Sequence, residues 1–103
     1  MRHRQHLPNR RTSLTINFEF ESQHYRATAS RFDDGRIGEI FLDAGKVGSA
    51  LQQHASTSAI LTSLLLQHGV SPGTIHDAVG GPIAIALEHF AKIAVLASGW
   101  QSR

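Results

Sequence analysis

Residues 45–70 read GKVGS (45–49) followed by ALQQHASTSAILTSLLLQHGV (50–70), and their pattern decides how the chain is organised. Leu51, Ala55, Ser58, Ala59, Thr62, Leu65 and Leu66 recur at i, i+4, i+7 and i+8, which predicts one broad stripe of a long helix. Gln53, Ser56 and Thr57 give its first two turns a polar opposite side. Ile60 and Leu64 then fall on that opposite side, so the helix is expected to need a second cover besides a sheet. Gly69 followed by Val70 fits a C′ glycine with an apolar C″ residue. A glycine loop therefore feeds a long central helix with a defined end.

Upstream the period is two. Leu14, Ile16, Phe18 and Phe20 alternate with Thr15, Asn17, Glu19 and Glu21, as a half-buried strand requires. Ser22 and Gln23 form the expected turn, and Tyr25, Ala27 and Ala29 continue the alternation in a second strand. Phe32 is out of phase with Tyr25, which suggests a bulge or a strand end. Asp33-Asp34-Gly35 is a hairpin turn. The third strand, residues 36–42, ends in the continuous run Ile40-Phe41-Leu42, which suggests a more central strand with both faces covered near its end. Downstream, Ser71-Pro72 reads as N-cap and N1 of a short helix with Ile75, Ala78 and Val79 inside. Gly80-Gly81 breaks it. Pro82 opens a last helix with the stripe Ile83, Leu87, Phe90, Ala94 and Ala97, and Glu88, His89 and Lys92 outside. This helix is the expected cover for Ile60 and Leu64, and its Val95 and Leu96 are candidates for a contact between copies. Three strands followed by three helices predict an α+β fold: a three-stranded antiparallel β-meander packed against the long central helix, then a short helix and a C-terminal helix. The expected division is a flexible basic arm over 1–12, one domain over 13–98 and a frayed tail over 99–103.

Composition narrows the chemistry. A chain of 103 residues with 41% hydrophobic and 17% charged content suits one globular domain. There is no cysteine, which removes disulfides, thiolate metal sites and cysteine nucleophiles. The net charge of +2 conceals an arm: residues 1–12 carry Arg2, Arg4, Arg10 and Arg11 without an acid, and the remainder is net acidic. No apolar core of a signal peptide follows these arginines, and no membrane-length apolar run occurs, so a cytoplasmic location is the expectation. The seven histidines form neither an i, i+4 pair nor an HExxH motif, and no metal site is expected. No serine or threonine has a visible base, and catalysis by the chain alone is not expected.

The best binding candidate is the loop Gly45, Lys46, Gly48 and Ser49. Glycines let backbone N–H groups approach a ligand, a helix N-terminus favours an anion, and Lys46 supplies charge. The loop lacks the GxxxxGK[ST] spacing of a phosphate-binding P-loop. The alternative is that the glycines only turn strand into helix while Ser49 caps it. Arg10 and Arg11 could neutralise phosphates, yet no aromatic is interleaved to stack bases, so an arm that is solvated or docked on acidic protein is the stronger reading.

Several of these segments resemble one family. Glu39-Ile40-Phe41-Leu42, the loop Gly45-Lys46-Val47-Gly48-Ser49 and the helix end Ser63-Leu64-Leu65-Leu66-Gln67-His68-Gly69-Val70 are similar to the TSCPD domain. Leu7-Pro8-Asn9-Arg10-Arg11 resembles the LPxRR opening of its free-standing members, and Gly81-Pro82-Ile83 with Ala86-Leu87 their GPxGxAL helix. His68 replaces the usual tyrosine, Ser71 is inserted before Pro72, and the Thr-Ser-Cys-Pro-Asp motif is absent. The resemblance implies a domain related to the C-terminal part of adenosylcobalamin-dependent ribonucleotide reductases, hence to ribonucleoside-diphosphate reduction and DNA synthesis. It implies an accessory or regulatory role, with a nucleotide or a reductase large subunit as partner and adenosylcobalamin present only through that reductase. Two alternatives stand beside it: a nucleic-acid-associated module using the arm, and a structural homo-oligomer.

Overall fold

The computed structural model of the chain describes residues 4–7 and 13–101, with side chains described as far as residue 93. Three strands, β1 (Ser13–Phe20), β2 (Gln23–Arg31) and β3 (Ile37–Ala44), form one antiparallel sheet in the order β1-β2-β3. Three helices follow: α1 (Ala50–Gln67), α2 (Pro72–Ala78) and α3 (Gly81–Gln101). The predicted α+β meander and helix order are those observed.

The period-two pattern acts as expected. Tyr25, Ala27 and Ala29 of β2, with Ile40, Leu42 and Ala44 of β3, are buried on the helix side of the sheet. Ile16, Phe18 and Phe20 of β1 pack on the same core from a less covered position. The first hairpin differs by one residue from the expectation. Gln23 pairs with Phe20, so the turn is Glu21-Ser22, with φ of 50° and 66°. Two left-handed residues in a two-residue loop match the twist of the flanking strands. Phe32 lies just beyond the end of β2 and a register irregularity between Ser30 and Arg31, as its phase suggested, and it is buried.

β3 is an edge strand, not the central one predicted from its apolar run. Phe41 points away from the helices, across from Thr28, and is 53% exposed. The run misleads because α1 covers one face and one edge of β3, leaving the other face wet. At that edge the Ser63 hydroxyl of α1 accepts from the Ile40 N–H (2.9 Å) and donates to the Ile40 carbonyl (3.0 Å). The Gln67 amide donates to the Gly38 carbonyl at 2.9 Å. Two helix side chains thus satisfy edge groups that a fourth strand would otherwise bond.

α1 starts at the N-cap Ser49, whose hydroxyl accepts from Gln52 N–H. It ends in a Schellman arrangement, with Gly69 N–H bonded to the Leu66 carbonyl and Val70 N–H to the Leu65 carbonyl. His68 adds a contact from Nδ1 to the Leu64 carbonyl at 2.8 Å. Its buried face is Ala55, Ala59, Thr62, Ser63, Leu66 and Gln67. Leu65, placed in the inner stripe by its spacing, is 44% exposed.

α2 is capped by Ser71 and carries Pro72 in its first turn, as predicted. Only Ile75 is buried; Ala78 and Val79 are exposed because the helix is one side of a short turn against α3. α3 buries Ile83, Ala84, Ala86, Leu87 and Phe90. It lies beside α1 on the same sheet face, where the Phe90 carbonyl accepts from Arg31 of β2 (3.4 Å) and His89 meets the Phe18 ring of β1. Its apolar stripe is therefore used by the sheet. Ile60 and Leu64 point the opposite way and remain 56% and 36% exposed, so the expected second cover by α3 is not made. Ala94, Val95, Leu96 and Ala97 lie outside the described side chains.

Arm residues 4–7 sit on the far end of α1. Arg4 donates to the Gln67 side chain, Gln5 N–H donates to the Gln67 carbonyl (2.7 Å), and Arg36 reaches the Gln5 side chain (2.8 Å). Leu7 and the Phe32 ring crowd Gly38 so closely that a Cβ there would lie 3.0 and 2.7 Å from them. Gly38 is required for that approach.

Candidate functional site

The loop after β3 is closed by its own hydrogen bonds. Gly45 and Gly48 take φ of +69° and +81°, a region that favours glycine. Ser49 N–H donates to the Lys46 carbonyl at 3.0 Å. The Gln52 side chain then folds back: its Oε1 accepts from Gly48 N–H (2.7 Å) and its Nε2 donates to Asp43 (3.2 Å). The backbone donor an anion would seek at Gly48 is already engaged, and the Ser49 hydroxyl is engaged as a cap. A carboxylate, Asp43, stands beside both. Sequence reasoning missed Gln52 and Asp43; the signal was a glutamine three residues after a serine cap, a spacing that favours return contacts to the loop.

The candidate residues are only partly brought together. Gly48 and Ser49 line an open cleft of about 470 Å³ with Asp43, Gln52, Gln53 and Ser56. Gly45 lines a different depression, shared with His24, Arg26 and Asp43. Lys46 is exposed at the loop tip and lines neither. Arg10 and Arg11 lie outside the described residues. The cleft offers amides, hydroxyls and one carboxylate, a surface suited to hydrogen-bonding a polar neutral group more than to holding a multiply charged anion.

A second surface is apolar. On the outward side of α1, Ile60, Leu61, Leu64 and Leu65 are exposed at i, i+1, i+4 and i+5. The 18 residues of α1 include no Asp, Glu, Lys or Arg. A solvent-facing helix without a single formal charge has the composition of an interface centre, where charged residues are depleted.

A third cluster joins α2 to α3. His76 contacts Asp77 through Nδ1 (3.1 Å) and Glu88 through Nε2 (3.2 Å). The hydrogen bond to Asp77, then that to Glu88, raises the His76 pKa above its ordinary value. Because the folded-state pKa is the higher one, this tie stabilises the fold below the unfolded pKa and is lost as pH rises through the folded pKa. An NMR titration should place the His76 midpoint above its ordinary value, and Glu88→Gln should lower it; a midpoint unmoved by Glu88→Gln would show that the two helices are not tied there.

Among the described residues no group of three or more His, Asp or Glu side chains is placed to hold a metal, and no helix is long and apolar enough to cross a membrane. The radical and dithiol chemistry that the resemblance associates with adenosylcobalamin needs cysteines, and the chain has none.

Parts of three segments that carry the family resemblance, Leu7, the β3 run at Ile40 and the α1 end at Ser63 and Gln67, come together at one edge of the sheet. Leu7 rests at Gly38, Gln5 and Arg4 bind Gln67, and Ser63 and Gln67 bond the edge of β3. The TSCPD domain model matches residues 2–94. Among curated proteins, the vitamin B12-dependent ribonucleotide reductase of Bradyrhizobium diazoefficiens is 40% identical over 70 residues, covering 68% of this chain and 6% of that protein. That of Agrobacterium fabrum is 42% identical over 69 residues (67% and 5%). That of Streptantibioticus cattleyicolor is 34% identical over 67 residues (65% and 11%). The chain thus spans a small fraction of the relatives it matches. No solved structure matches it. With the family model covering nearly the whole described fold, from the arm through the first two thirds of α3, the chain belongs to the TSCPD domain family.

Proposed function

We propose that the chain is an accessory domain of vitamin B12-dependent ribonucleotide reduction that acts by docking on a reductase polypeptide, and so serves deoxyribonucleotide supply for DNA synthesis. The observation that carries this reading is the uncharged outward face of α1, with Ile60, Leu61, Leu64 and Leu65 exposed. The relatives' names supply the partner: a domain of the same family is part of polypeptides named as B12-dependent reductases. A helix face that the chain's own α3 leaves bare is available for such a polypeptide. The reaction itself would remain with the reductase, since this chain lacks the cysteines.

The test is direct binding between the purified chain and the B12-dependent reductase of the same host, read by calorimetry. Leu61→Glu with Leu64→Glu, both on the exposed side, should weaken binding about tenfold or more, because buried apolar anchors dominate interface energy. No binding by the wild-type chain would sink the proposal.

Nucleotide binding at the loop is a second reading, favoured by the open cleft beside Gly48 and Ser49 and by the exposed Lys46 of the same loop. Heat on titration with ribonucleotides or deoxynucleotides, lost in Lys46→Ala, would support it. The engagement of Gly48 N–H by Gln52 argues for the reductase first.

A further inference from the structure

The two edges of the sheet are treated differently, and the difference points to an assembly. At β3, Ser63 occupies the outward N–H and carbonyl of Ile40, and Gln67 the carbonyl of Gly38. No strand of the described residues pairs with the outer edge of β1. We infer that β1 pairs with β1 of a second copy of this chain, joining two three-stranded sheets into one antiparallel sheet of six.

The register follows from the ladder. Residues of an antiparallel strand turn their N–H and C=O alternately to one neighbour and the other, and directly opposed residues turn them the same way relative to each other. Ile40 faces outward, so Phe41 faces β2, and its partner Thr28 faces β3. Ala27 and Ala29 then face β1, and their partners Ile16 and Leu14 face β2. The Thr15–Thr28 hydroxyl contact of 2.8 Å fits the closer, non-bonded pair this assigns. The backbone groups of Thr15, Asn17 and Glu19 are the ones turned away from the sheet.

A two-fold axis at Asn17 pairs those outward groups. It sets Thr15 against Glu19 of the other copy, with no like charges opposed. On the helix side it sets Leu14 against Phe20 and Ile16 against Phe18, each twice. These are the residues that the single chain covers poorly: Leu14 is 40% exposed, and Ile16, Phe18 and Phe20 are only partly buried. Apolar cross-strand pairs of this kind stabilise sheets. The β1 sequence SLTINFEF has no proline, lysine or bulge of the sort that blunts a free edge. Its apolar half is therefore self-complementary in one register. This surface is separate from the α1 face, so the inference does not rest on the reductase reading.

Sedimentation velocity of the full chain should show a concentration-dependent dimer. Asn17→Pro removes an outward N–H without breaking a bond to β2, so the far-UV spectrum should persist while the dimer weakens about tenfold or more. The chain's lack of cysteine permits a second test that needs no unfolding control. In the assigned register the two Asn17 Cα atoms stand about 5.5 Å apart, within disulfide reach. Asn17→Cys should cross-link to a covalent dimer under mild oxidation faster than Thr57→Cys on α1. A chain that stays monomeric at millimolar concentration overturns the inference. So does a dimer untouched by Asn17→Pro, or Thr57→Cys cross-linking as fast as Asn17→Cys. If Asn17→Pro unfolds the chain, the comparison of the two cysteine variants decides.

Discussion

Replacing Phe90 with alanine is expected to reduce the unfolding free energy by about 3–5 kcal/mol, the cost of emptying a large aromatic site in a core. Phe90 is wholly buried, and with Leu87 and Ile40 it is among the largest fully buried side chains. It stands where α3 crosses the sheet, and Arg31 donates to its backbone carbonyl. The vacated volume is bounded by strands on one side and helices on the other, neither of which can move in without losing contacts elsewhere. A domain of this size has a total of about 5–15 kcal/mol, so the variant should be close to unfolding at ambient temperature. Urea titration checks it: the midpoint should fall while the slope is kept. A loss under about 1 kcal/mol would mean that α3 does not pack on the sheet as described.

Ser63→Ala is expected to cost about 1–3 kcal/mol although it removes a single oxygen. The hydroxyl serves both polar groups of Ile40, and those bonds are buried. Without it, a donor and an acceptor remain at the β3 edge with no water to replace it. Ser63→Val should cost no less, since added apolar volume does not restore the bonds. Thr57→Ala, on the exposed side of α1, should stay within about 0.5 kcal/mol. If Ser63→Ala and Thr57→Ala melted alike, the helix would not be closing the strand edge through that residue.

Much of the fold was legible because local pattern and tertiary role agree. Leu14 to Phe20 alternates because one face of β1 meets the core and the other meets water. Ser49, Ser71 and Gly69 mark helix ends through bonds that involve only neighbouring residues. Phe32 announced its bulge by falling out of phase. Where the reading erred, the cause lay in which neighbour arrived. Ile40-Phe41-Leu42 has the composition of a doubly covered strand, and nothing local reveals that one face stays wet. Ile60 and Leu64 asked for a cover, and the sequence offered α3, but the sheet claimed α3 first.

The candidate site was legible as a position and not as a state. Glycines before a capped helix marked a mouth suited to a ligand, and the mouth is there. That Gln52 reaches back to Gly48 and Asp43 depends on side-chain torsions that no spacing dictates. The polar residues Ser63 and Gln67, part of the segment that carries the family resemblance, looked like motif letters without a job. In the structure they are edge-closing groups, and the arm segment meets them at the same place.

The order of elements, the helix caps and the family of this protein were determined by its sequence alone, because each depends on contacts within a few residues or on letters compared one by one. The tertiary structure alone decided that β3 is an edge, that the Gly48 and Ser49 N–H groups of the loop are engaged by Gln52 and Lys46, and that α1 keeps an apolar face and β1 an outer edge without a partner among the described residues. Those outcomes are set by which distant segments compete for the same surface, and a stripe or alternation specifies that a face must be covered without saying by what.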